Sequence, residues 1–159
     1  MKITVLAVGK VKESYFRDAI AEYSKRLSKY CKLEIIEVPD EKTPDRASER
    51  EAELIKEKEA DRLLKYIRED VFVCVLAIEG VQLDSVALAG KIEQIGLQGK
   101  SHVIFIIGGS LGLHGSVLQR ADLLLSFSKM TFPHQLMRVI LLEQVYRAYR
   151  IMANEPYHK

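Results

Sequence analysis

Residues 102–127, HVIFIIGGSLGLHGSVLQRADLLLSF, decide the fold. His102–Ile107 is an almost wholly apolar run that stops at Gly108-Gly109, as a strand covered on both faces should. Gly115–Arg120 is too short for more than a helical turn, and Leu123–Phe127 is a second apolar strand. The stretch therefore reads strand, glycine turn, short helix, strand. Working outward, the same alternation recurs. Toward the N-terminus, Asp84 or Ser85 caps a helix to about Leu97, and Val71–Ile78 is another run of buried-strand type. Before it, Asp40–Asp70 holds 11 acidic and 8 basic residues. It begins as a loop with Pro44 and becomes a solvated helix from about Ser48, burying only Leu54, Ile55, Leu63, Leu64 and Ile67. Leu33–Val38 and Ile3–Val8 are strands, and Ser14 to Lys29 carries apolar residues at helical spacing. Toward the C-terminus, a last helix is expected from about Pro133 to Met152. Alternating strands and helices predict one α/β domain over residues 1–159 with a mostly parallel sheet.

Composition narrows the function. Lys plus Arg is 24 and Asp plus Glu is 22, a formal net charge of +2, which excludes a histone-like polycation. Apolar residues make up 48% and charged residues 29%, ordinary globular values that exclude intrinsic disorder. Cys31 and Cys74 lack metal-ligand or disulfide-framework spacing, so no metal is expected. No apolar run approaches a membrane span and no secretory signal opens the chain, so the expected location is the cytoplasm. The acids concentrate in the middle of the chain. Basic residues gather before Leu33 and again in Lys129, Arg138, Arg147, Arg150 and Lys159, which suits a basic face for RNA as well as it suits a solvated one.

Ligands of open α/β sheets bind beyond the carboxyl ends of strands. That rule selects the loops after Ala77, after Ile107 and after Phe127. The glycines of Gly108–Gly112 let backbone N–H groups approach a ligand, though the loop is neither a Walker A nor a GxGxxG motif. Ser126–His134 mixes hydroxyls, a cation and aromatics. It suits a pocket for a ring system, or equally a packed connector in which Ser128 and Thr131 cap the last helix. His134 reads first as a cap or surface residue. In the last helix, 12 of the 17 residues Leu136–Met152 are apolar, too wide a face for a surface helix, so a second copy of the chain is expected to cover part of it. The ending Tyr157-His158-Lys159 is either a frayed tail or a trio able to stack on a base and meet phosphate.

Several of these segments also resemble one family. Lys2–Lys10, the Ile107-Gly108-Gly109-Ser110 turn with Gly112, Leu125–His134 and the terminal Pro156–Lys159 together resemble the RlmH family, in order and across essentially the whole chain. The resemblance implies a SPOUT-class methyltransferase: a mostly parallel sheet flanked by helices, a C-terminal deep trefoil knot, and a homodimer. It implies S-adenosyl-L-methionine held by Leu76, Gly108, Phe127, Ser128, Lys129, Met130, Thr131 and Phe132. It implies transfer to N3 of a pseudouridine in 23S ribosomal RNA of the assembled ribosome. On that basis His158 is the first candidate for proton acceptor and Tyr157 for positioning the base. Arg138, Arg147 and Lys159 are candidates for RNA or partner contacts. The competing expectation is a non-catalytic RNA- or ribosome-binding dimer.

Overall fold

A computed structural model describes residues 1–159. Five strands, β1 (Lys2–Val8), β2 (Lys32–Val38), β3 (Phe72–Gln82), β4 (His102–Ile107) and β5 (Leu123–Ser126), form one sheet in the order β2-β1-β4-β3-β5. Every pairing is parallel. The helices are α1 (Ser14–Leu27), α2 (Glu49–Leu64), α3 (Ser85–Leu97), α4 (Gly115–Arg120) and α5 (His134–Met152).

Strand side chains point alternately to the two faces, so a strand covered on both sides is apolar at nearly every position. In β1, Ile3, Val5 and Ala7 join a core with Leu27 of α1, Leu88 and Ile92 of α3, and Leu141 and Val145 of α5. Leu6 and Val8 join the opposite core with Ala60 and Leu63 of α2 and Val117 of α4. Three helices thus cover one face and two the other. Cys74 packs in the first core, where burial pushes its thiol pKa up to about 12, so it is a space-filling group rather than a reactive one.

The structure corrects several local expectations. Helix α1 starts after Glu13, which occupies the N-cap position without a side-chain capping bond, and ends at Leu27, short of Lys29. Helix α2 starts where expected, with a capping box between Ser48 and Glu51. Its buried residues, however, are Glu59, Ala60 and Leu63, while Leu54 is 47% exposed. Pro133 occupies the N-cap of α5, and neither Ser128 nor Thr131 caps that helix.

The main departure is β3, which continues past Ile78 to Gln82. Leu125 of β5 pairs first with Leu76 and again with Val81, so residues 77–80 bulge between the two pairings. Gly80 makes this possible: a Cβ there would lie 2.6 Å from the carbonyl carbon and oxygen of Leu124. Backbone cannot move aside as a side chain can. Gly80→Ala is therefore expected to cost about 2 kcal/mol, the range of an overpacked core, read as a lower denaturant midpoint with the slope unchanged.

Candidate functional site

The carboxyl ends of β3, β4 and β5 open into one cavity of about 370 Å³, within the range of small-molecule sites. Three loops enclose it. Leu76, Ala77, Ile78 and Glu79 come from the β3 bulge, Gly108–Leu113 from the turn after β4, and Phe127, Ser128, Met130, Thr131 and Phe132 from the loop after β5. Met137 and His134 of α5 close the floor. These are the three loops that the strand-end rule selects.

Each loop is held by its own chemistry. Gly112 has φ +86°, a left-handed conformation that a residue with a Cβ rarely adopts, and its N–H donates to the Gly109 carbonyl at 3.1 Å. In the third loop, Ser126 Oγ donates to the Ser128 carbonyl at 3.0 Å, and Ser128 Oγ accepts from the Met130 N–H at 2.9 Å. These bonds fold the hydroxyls into the loop, and Phe127 and Phe132 line the cavity beside them. Beneath the second loop, the Glu59 carboxylate is 5% exposed and accepts the Glu41 N–H at 2.9 Å. Burial pushes its pKa up.

Of the residues expected to hold a donor, Leu76, Gly108, Phe127, Ser128, Met130, Thr131 and Phe132 all line the cavity. Lys129 does not; it is exposed on the outside of the loop. His134, read as a cap or surface residue, lines the cavity instead. Burial first, then Arg138, lowers its pKa, leaving the imidazole neutral at pH 7. Glu79 was within reach of the strand-end rule, because it follows Ala77, yet its residue type gave no separate signal. No lysine or arginine lines the cavity.

Arg138 requires a correction. It is 1% exposed, at a core position of α5 with Leu141, Leu142 and Val145. Its guanidinium pairs with Glu37 at 2.5 Å and donates to the carbonyls of Val8 at 3.1 Å and Gly9 at 2.7 Å. It ties the end of β1 to α5 and has no surface to offer RNA. The apolar width of α5 is also met in part within the chain, since the helix packs against both α1 and α3.

Tyr157 and His158 lie away from the cavity, folded back along α5. The Tyr157 hydroxyl donates to Glu143 at 2.8 Å, and Arg147 donates to the same carboxylate at 2.8 Å. The Arg147 guanidinium lies 4.5 Å from the Tyr157 ring centroid and 3.2 Å from His158 Nδ1. Burial and Glu143 push the Tyr157 pKa up to about 12, so its hydroxyl keeps its proton. Glu143 follows His134 by nine residues, which puts the tail about 14 Å along the helix axis from the cavity floor. Lys159 is exposed at the chain end.

The family model described as "Predicted SPOUT methyltransferase" matches residues 1–158. The chain is 68% identical to the ribosomal RNA large subunit methyltransferase H of Bifidobacterium adolescentis, over 100% of both chains. It is 57% identical to the protein of that name from Clostridium kluyveri, again over 100% of both. With the three-loop cavity at the strand ends and a match along its whole length, the chain belongs to the SPOUT methyltransferase family.

Proposed function

We propose that this chain is an S-adenosylmethionine-dependent methyltransferase acting on N3 of a pseudouridine in 23S ribosomal RNA, in the cytoplasm and on the assembled ribosome. The observation that carries the reading is the cavity: apolar and aromatic walls, backbone-rich glycine turns, and no cationic side chain. Such a wall fits a nucleoside bearing no phosphate, whereas a polyphosphate nucleotide would find no positive partner. Leu76, the Gly108 turn, Phe127, Ser128, Met130, Thr131 and Phe132 would hold the adenosine and methionine portions. The bound group supplies an electrophilic methyl carbon on a sulfonium.

The rest is positioning by the protein's own residues. The acceptor N3 loses a proton, and the tail carries the groups for that task. In the present conformation Arg147 donates to His158 Nδ1, so His158 must leave Arg147 to accept a proton there. Tyr157, holding its own proton, orients the base by stacking or donation. Since the tail lies well away from its own cavity, we place it in the cavity of a second copy, which makes the active unit a homodimer. Ile78 and Met130, which are exposed and line the cavity, supply apolar surface for that contact. Arg147 and Lys159 would meet RNA phosphate, at the end of α5 that the tail leaves. We also propose a C-terminal trefoil knot in this region; the enclosure of one cavity by the loops after β3, β4 and β5 supports it.

The test is methyl incorporation from labelled S-adenosylmethionine into intact ribosomes, separated subunits and free 23S RNA, followed by nucleoside mass spectrometry. The expected product is N3-methylpseudouridine, most abundant from intact ribosomes. RNA binding without incorporation into any of the three would identify a non-catalytic ribosome-binding dimer instead.

A further inference from the structure

Among the residues lining the cavity, Glu79 alone carries a formal charge at neutral pH, because no lysine, arginine or aspartate is present and His134 is held neutral. Glu79 takes part in none of the chain's salt bridges. Its place is set by covalent neighbours rather than by a partner. It sits on the bulge between the two pairings of Leu125, next to Gly80, whose Cα packs directly on the Leu124 backbone. Glu79 is solvent-exposed, so it places an unpaired negative charge at the rim of a largely apolar cavity, on a stretch of backbone that Gly80 pins.

A sulfonium donor has one more positive charge than the thioether left after its methyl group departs. The adenosine and amino-acid portions of the two molecules are the same. A single anion at the cavity rim therefore distinguishes them by charge alone. We propose that Glu79 is a specificity-determining residue of this cavity, favouring the cationic donor over the neutral-sulfur product and so easing product exchange. The inference rests on the reading of the cavity as the donor site.

Calorimetry at low ionic strength tests it with three ligands: S-adenosylmethionine, S-adenosylhomocysteine, and sinefungin, whose ammonium group replaces the methyl-bearing sulfonium. Glu79→Gln is expected to weaken the two cationic ligands about five-fold, the upper range for a solvent-accessible charge pair, and the product less than about two-fold. Glu79→Asp, which keeps the charge, should restore part of the preference, and raised salt should shrink it in the wild type. Equal weakening of all three ligands would overturn the proposal, since Glu79 would then serve a feature they share, such as the amino-acid ammonium. So would unchanged affinity for all three. A wild-type chain that binds none of them would overturn the donor-site reading itself, and this proposal with it.

Discussion

A chain ending at Pro156 is expected to bind S-adenosylmethionine as tightly as the intact protein and to transfer methyl groups about 10²–10⁴-fold more slowly, the usual contribution of positioned acid–base groups. The separation follows from the geometry. Of the residues removed, Tyr157 touches Glu143 and Tyr146, His158 touches Arg147, and Lys159 is exposed; none of the three lines the cavity. Losing contacts at a half-exposed site should cost at most about 1 kcal/mol of stability, so the truncated chain stays folded. Calorimetry supplies the affinity and labelled methyl incorporation supplies the rate. Turnover within about two-fold of the intact protein would remove the tail from the reaction, and a parallel loss of donor affinity would show that the tail helps hold the donor rather than serving the transfer step alone.

Replacing Arg138 by Met is expected to destabilise the fold by about 3–5 kcal/mol, the cost of breaking a buried pair, and to lower Tm by roughly 10 °C. Methionine fills much of the space. It leaves the Val8 and Gly9 carbonyls without their donor, and Glu37 without its cation. Arg138→Lys should recover only part of the loss, since one ammonium cannot reproduce a planar fork that serves three acceptors. Thermal and denaturant melts of both variants check this. If Arg138 instead met RNA, Arg138→Met would leave stability unchanged and weaken ribosome binding. The side chain's burial, at 1% exposed, argues for the first outcome.

The two residues show what kind of information each level holds. Tyr157 and His158 stood out in the sequence because an aromatic, an imidazole and a cation together at a chain end are chemically unusual. Arg138 also stood out, as a lone cation amid apolar neighbours, but the direction it faces was illegible. Its partners Glu37, Val8 and Gly9 are about a hundred residues or more away along the chain. Glu59 was misjudged for the same reason. Within a charge-rich helix it looks solvated, and only the packing of α2 beneath the glycine turn puts it under cover.

The element types and their order, the doubly covered parallel sheet, and the three loops that could hold a ligand were all determined by the sequence alone. Hydrophobic period, caps and glycine placement act over a few residues, so short-range sterics and solvation suffice to read them. Only the tertiary structure decided that β3 bulges around Leu125, that Glu79 is the cavity's lone charge, that His134 lines its floor, and that the tail lies along α5 rather than over its own cavity. These depend on which distant surfaces meet, and the free energy of such meetings belongs to pairs of segments that no local window contains.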